Sequence, residues 1–324
     1  MKTILTLTLA ALLLAPVAAV PAEAKTLKVA LVLPGPITDG TFNSAANQGI
    51  EKAKGKYDIQ VSLRENTQFA EIEETLLSYA RDGYDVVIGH GFQFAEPALK
   101  IHKQFPKTWF VINTAKVSAA PNLASFDNRW GDAGYVAGAV AGLVTKKGAV
   151  GHVGGIPVPV IKEYNEGFGL GAKRMRPDVK VLSAYVGSFS DVAKGKEITA
   201  SMIESGADVV TSTGNENVLG TIQAAKDAKV MAIGTAFDAA AIAPDTVVTT
   251  ALINMDTNID MAIGKIVDGS IEPKNYLLGF NENGLGLAPY RNFADKIPAA
   301  DQQKITDLIA DIKAGKVADL PKVQ

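Results

Sequence analysis

Cysteine is missing from all 324 residues. Its absence excludes disulfides, thiolate metal ligands and cysteine nucleophiles. It also leaves no cysteine to carry the lipid that tethers many exported bacterial proteins. Histidine is scarce. His90, His102 and His152 lie at no metal-ligand spacing, and His102 is expected on a helix surface. There is no surplus of positive charge: 32 Lys and Arg stand against 34 Asp and Glu, for a net charge of −2. A nucleic-acid partner is therefore not expected, and no polybasic run suggests an anionic membrane surface. No G-x-S-x-G elbow and no Walker lysine are present, so hydrolase and phosphate-cradling chemistry have little support. The chain reads as a binding protein, not an enzyme, with no cofactor and no metal site. Aromatic residues make up only 7%, so the places where they gather are informative.

One long apolar run exists, at the N-terminus. Met1 and Lys2 form a positive start, residues 4–14 are apolar, and Ala22-Glu23-Ala24 is a small-x-small cleavage site. Residues 1–24 are thus expected to be a cleaved secretory signal peptide. The mature chain is expected to be soluble, monomeric and free in the periplasm.

The chain from residue 25 onward is hydrophobic enough to bury a sizeable core. Apolar strands alternate with amphipathic helices. A strand is predicted over 26–33 (TLKVALVL), a helix over 42–54, strands over 59–63 and 85–88, a helix over 96–105 and a strand over 109–113. Asp39 or Thr41 is a plausible cap for the helix that opens at Phe42. This alternation predicts right-handed βαβ units and parallel sheets, an α/β fold. After the segment 122–138 (NLASFDNRWGDAGYVAG) the pattern restarts. TLLSYARDGYDVVI at 75–88 is echoed by ITASMIESGADVVT at 198–211, and KYDIQV at 56–61 by RPDVKV at 176–181. Such an echo predicts two similar lobes, with 122–138 as the first crossing and its polar knot, Asp127 to Trp130, at the mouth of the cleft. Leftover sequence after the second lobe predicts a return to the first and another crossing. The run YLLGFNENGLGLAP (276–289) reads as hairpin-like. The lobes are expected at 25–127 with about 252–284, and 128–251 with about 285–324. The glycines of Gly167-Phe168-Gly169-Leu170-Gly171 fall inside a helix and are read as close helix packing.

In open α/β sheets, ligands bind beyond the carboxyl ends of the strands. The aromatic, amide and acidic residues expected there are Asp39, Phe42, Asn43, Phe92, Asn128, Trp130, Tyr164, Phe189, Asn215 and Asp238. Phe126 is expected in the core. Asp238 has no obvious capping role, and Arg129 is placed to pair with Asp127 or Asp132. Aromatic faces combined with amides and carboxylates suit a flat, hydrogen-bonding ligand or a polyol.

The segments TDGTFN (38–43), GHGFQFAEP (89–97), FDNRWGDAGYVAG (126–138), VGHVGGIPVPVIKEYNEGF (150–168), GSFSDVAKGKE (187–197) and GTAFD (234–238) together resemble the basic-membrane-protein family. These are solute-binding components of ABC importers, related to the purine nucleoside receptor. The resemblance implies a type I periplasmic-binding-protein fold, with two Rossmann-like lobes joined by about three hinge segments. It implies an ABC permease as partner and a purine nucleoside or nucleobase as ligand. Riboflavin, a sugar or another heterocycle, or service as a ligand sensor for a membrane receptor, are the alternatives. By position, Asp39, Phe42 and Asn43 match the family's D-x-[ST]-F-N segment, Phe189 its GSF/W segment, and Asp238 the aspartate that takes ribose hydroxyls. The chain departs from the family at Ile253, where a lysine is common, and at Gly214-Asn215-Glu216-Asn217.

Overall fold

The computed structural model describes residues 26–322; the proposed signal peptide lies outside them. The first half runs β1 (Leu27–Val32), α1 (Phe42–Lys54), β2 (Ile59–Arg64), α2 (Ile72–Arg81), β3 (Val86–His90), α3 (Ala95–Ile101), β4 (Trp109–Asn113) and β5 (Leu123–Asn128). The second runs α4 (Trp130–Val144), β6 (Ala149–Gly154), α5 (Pro159–Met175), β7 (Lys180–Tyr185), α6 (Val192–Glu204), β8 (Val209–Thr213), α7 (Asn217–Ala228), β9 (Met231–Ala236) and β10 (Val247–Ile253). The chain then adds α8 (Met255–Val267), β11 (Asn275–Leu278), β12 (Leu285–Leu287) and α9 (Ala299–Lys313).

The strands form two six-stranded sheets, ordered β2-β1-β3-β4-β5-β11 and β7-β6-β8-β9-β10-β12. The orders are the same, position for position. The first five strands begin at 27, 59, 86, 109 and 123 in one lobe and at 149, 180, 209, 231 and 247 in the other. The sequence echo is therefore an echo of topology. All pairings are parallel except that of β12, which runs antiparallel to β10. The apolar strands are buried on both faces, as crossover helices on either side require; Val29–Leu33 and Val86–Ile88 are wholly inaccessible.

The segment read as a hairpin is not one. β11 joins the first sheet beside β5, and β12 joins the second beside β10. Each short strand extends the edge of a different sheet. The turn between them, closed by the Gly284 and Leu285 N–H groups donating to Gly279 O, is a third crossing. The other two lie at Arg129 and Asn254, between elements of opposite lobes.

α4 is apolar all round and almost entirely buried, as such a helix must be. It packs backbone to backbone on α5. A Cβ on Gly134 would lie 2.1 Å from Tyr164 O, and one on Gly138 would lie 2.0 Å from Phe168 O. From the other side, a Cβ on Gly171 would lie 1.9 Å from Tyr135 O. Gly167 and Gly171 of α5 are thus packing residues, while Gly169 is not, since a Cβ there would have Val181 Cγ1 at 3.8 Å as its nearest neighbour. His102 also departs from expectation. It is buried, at 1% exposure, because α3 gives way after Ile101 to a 3-10 turn over His102–Gln104. That turn brings the imidazole Nδ1 within 3.1 Å of Asn122 Oδ1. Among the described residues, no helix is long and apolar enough to cross a membrane.

Candidate ligand-binding cleft

The loops at the strands' carboxyl ends enclose a cavity of about 520 Å³ between the lobes. The first lobe supplies Pro34 and Phe42 after β1, Asn66 and Phe69 after β2, and Phe92 and Gln93 after β3. The second supplies Ile156 and Val158 after β6, Phe189 after β7, and Gly214, Asn215 and Glu216 after β8. Trp130, just past the first crossing, closes one side. The cavity sits where the topology of open parallel sheets places a ligand site.

Five aromatic residues, Phe42, Phe69, Phe92, Trp130 and Phe189, stand among the aliphatic, proline and amide residues of its walls. Phe42 opens α1 and stacks on His90, with ring centroids 3.8 Å apart. Phe92 faces Phe189 across the lobes at 6.5 Å. The Trp130 indole is held by its N–H, which donates to Asp127 Oδ1 at 2.9 Å. The lobes touch elsewhere too. Thr41 Oγ1 donates to Asn215 Oδ1, and the Phe42 N–H lies 3.4 Å from the same oxygen. Lys116 pairs with the buried Glu163.

Of the ten residues expected at the site, six line the cavity: Phe42, Asn43, Phe92, Trp130, Phe189 and Asn215. The other four lie elsewhere. Asp39 gathers the start of α1. Its carboxylate accepts from the backbone N–H groups of Thr41, Asn43 and Ser44, each at 2.9 Å. Burial opposes the charge, but these bonds prevail and hold the Asp39 carboxyl below its usual range. Tyr164 is inaccessible; its hydroxyl lies 2.9 Å from Thr235 Oγ1, and burial pushes the phenol up to about 12. Asp238 does have a capping role. It accepts the Ala240 N–H at 3.2 Å and pairs with Arg291.

Asn128, the last of the four, belongs to a buried amide chain. Asn258 Nδ2 donates to Asn128 Oδ1 at 2.8 Å and to Asn113 Oδ1 at 2.9 Å. Asn128 Nδ2 donates to Gly284 O at 2.7 Å, and Asn113 Nδ2 donates to Met255 O at 3.2 Å. These partners lie beside all three crossings, so one amide cluster ties the hinge strands together. The cluster reaches the cleft through His90. Asn113 Nδ2 lies 3.1 Å from His90 Nδ1, and His90 Nε2 lies 2.9 Å from Phe42 O. An amide N–H facing Nδ1 makes that nitrogen the acceptor, so Nε2 donates and the ring is neutral. Burial agrees, lowering His90 to about 4.

The polar knot is not at the cleft mouth, because Asp127 and Asn128 are fully buried and only Trp130 reaches the cavity. Burial raises Asp127 to about 7 despite its bond to Trp130. Arg129 pairs with Asp132, Nε to Oδ2, at 2.7 Å. Sequence reasoning passed over Phe69 and the Ile156–Val158 loop. Phe69 is 74% exposed, and an isolated Phe in the polar stretch NTQFAE is a signal that would have found it. The loop IPVPV carries no such signal.

A cleft between two like-ordered parallel sheets, crossed by three hinge segments and walled from both sides, defines a two-lobed solute-binding protein of the type I periplasmic fold. The sequence model for PnrA-like ABC transporter substrate-binding proteins matches residues 26–317, and the chain belongs to that family. Among its relatives is a purine-binding protein of Brucella abortus, 28% identical over 295 residues that cover 90% of this chain and 82% of the relative. Basic membrane protein A of Borreliella afzelii is 27% identical over 240 residues, 72% of this chain and 73% of the relative. A solved solute-binding protein of an ABC transporter system from Aeropyrum pernix K1 shares the fold. Its TM-score is 0.80 at 22% identity, covering 92% of this chain and 94% of the other. Substrate-binding proteins of this family work outside the cytoplasmic membrane, with a small-molecule ligand and a permease as partner.

Proposed function

We propose that this protein captures a purine, as free base or nucleoside, in the interlobe cleft and delivers it from the periplasm to an ABC permease. The observation that carries this reading is the composition of the cleft: aromatic rings from both lobes, a few amides, and no Lys, Arg or His among its described lining residues. Flat heterocycles stack on such walls, each contact being worth roughly 1–3 kcal/mol. Phosphorylated ligands would find no cation there. The name of the Brucella relative supports the same ligand class.

The lobes, divided at Arg129, at Asn254 and in the turn between β11 and β12, act as bodies that close around the ligand as a monomeric clamp. Closure brings Thr41 to Asn215 and Lys116 to Glu163, so binding and the closed form stabilise one another. No chemistry is performed on the ligand. Calorimetric titration with adenine, guanine, hypoxanthine and their nucleosides, beside riboflavin and simple sugars, tests the reading. Micromolar binding of at least one purine, about −8 kcal/mol, is the expected result. The absence of both heat and a melting shift for every purine at millimolar concentration overturns it.

A further inference from the structure

One contact between the lobes is made by charges taken out of water. Lys116 lies in the loop after β4, in the first lobe, and Glu163 lies on α5, in the second. The two side chains form an ion pair and are only 15% and 2% exposed. Each is fixed to its own lobe. The Lys116 loop is fastened to β5 on both sides, by the Thr114 N–H donating to Phe126 O at 2.8 Å and the Val117 N–H donating to Ser125 Oγ at 3.2 Å. Glu163 stands on the helix that packs backbone to backbone on α4. Separation of the lobes therefore pulls the pair apart.

Both residues follow a residue of the cavity wall. Thr114 and Ile161 line the cavity, and Lys116 and Glu163 stand two positions further along. Thr114 has a backbone φ of 69°, which a β-branched residue seldom adopts and which persists only where the surroundings impose it. That turn leads the chain from the cleft to the lysine. The charge of Glu163 also reaches Asp127 and Asp132, and that of Lys116 reaches Asp127. Asp132 has Arg129 as its partner at 2.7 Å, whereas Glu163 receives Lys116 from the opposite lobe. Removing one member of a buried ion pair costs far more than removing both, because the survivor stays charged in a low-dielectric site. Here that cost falls on the closed form, since an open cleft returns the survivor to water.

We infer that Lys116 and Glu163 are positioning residues that latch the lobes together, setting the balance of open and closed forms and through it the affinity for every ligand alike. A ligand that requires the closed form binds with an affinity scaled by the fraction of protein that is closed, whatever its own contacts. A residue that touches the ligand would instead favour one ligand over another. This inference rests on the reading of the protein as a clamp that closes on its ligand.

The lack of cysteine makes the test direct. Ser78 on α2 and Ser201 on α6 are exposed and lie on opposite lobes. Ser78→Cys combined with Ser201→Cys gives one spin label per lobe. Electron–electron double resonance reads the distance between the labels without ligand and with adenine, hypoxanthine, adenosine and inosine. Calorimetry reads the affinities. Lys116→Met and Glu163→Gln are each expected to move the distances from the closed towards the open spacing. Each should weaken every ligand that binds by the same factor, ~10-fold or more. The double substitution leaves no unpaired charge, so it should fold like the parent and lose less than the two single losses combined. Distances that stay unchanged under every condition, affinities kept within about twofold, losses that differ among the ligands, or single losses that simply add all overturn the inference. If no purine binds, a shift of the ligand-free distances by the single substitutions upholds the latch and overturns the purine reading. If no purine binds and no distance shifts, both are overturned.

Discussion

The ring of Phe42 lies on the imidazole of His90 at 3.8 Å while the Phe42 carbonyl accepts that ring's Nε2–H at 2.9 Å. One residue is therefore clamped twice by its neighbour, through its face and through its backbone. Phe42 is thereby held in place before any ligand arrives, which reduces the ordering cost of binding. Replacing Phe42 with Ala should remove a prepared stacking face and weaken purine binding by about 1–3 kcal/mol. Calorimetry at pH 7 checks this. An unchanged affinity would mean that Phe42 is packing for His90 rather than a wall of the site.

The same clamp depends on an uncharged imidazole. His90 and His152 are lowered by burial to about 4 and about 3. A histidine whose folded pKa is depressed contributes stability that is complete above its unfolded value near 6.5 and is lost as pH falls towards the folded value. Unfolding free energy should therefore fall between pH 6.5 and 4.5, by about 2–3 kcal/mol per histidine. Urea titrations at the two pH values measure the drop, and His90→Gln should shrink it.

Asp127 has the opposite sign. Burial raises it to about 7, so the folded protein holds a proton that the unfolded chain releases near 4. Its contribution is complete below pH 4 and disappears as pH rises through 7, a loss of order 4 kcal/mol. Asp127→Asn keeps an oxygen for the Trp130 N–H and removes the titration. The variant should melt at a higher temperature than the parent at pH 8, with a smaller advantage at pH 5. An equal shift at both pH values would show that ionisation is not the cause.

Close approach of α4 and α5 makes Gly138 intolerant of a side chain, since its Cβ would meet Phe168 O at 2.0 Å. Gly138→Ala should cost more than about 3 kcal/mol or prevent folding, as overpacking of rigid backbone does. Gly169, on the same helix pair, is the control. Its Cβ would have Val181 Cγ1 at 3.8 Å as nearest neighbour, and Gly169→Ala should be neutral or stabilising by about 0.5–1 kcal/mol. Chemical denaturation of the two variants separates packing from helix propensity.

Much of the architecture was written in local pattern. Buried parallel strands are continuously apolar and the helices between them are amphipathic, so alternation revealed the βαβ units. Their repetition revealed two lobes. The start of α1 at Phe42 was legible because the turn before it carries a capping carboxylate. The hairpin reading of 276–289 failed because turn chemistry is local, while the choice of sheet edge for each strand depends on residues far away. β11 pairs with β5 and β12 with β10, and nothing within the segment encodes that division.

Residue order alone was enough for the fold class, the family, and six cleft-lining residues placed after strand ends. Periodicity and loop position are properties of neighbouring residues, so they survive in one dimension. Which polar groups remain available was settled only by folding. Asp39, Asn128, Tyr164 and Asp238 had the right chemistry for the site, but none of them lines the cavity and each is engaged by partners within the protein. A hydrogen bond is satisfied by what lies within about 3 Å in space, and that distance is fixed only when both lobes are folded and facing each other.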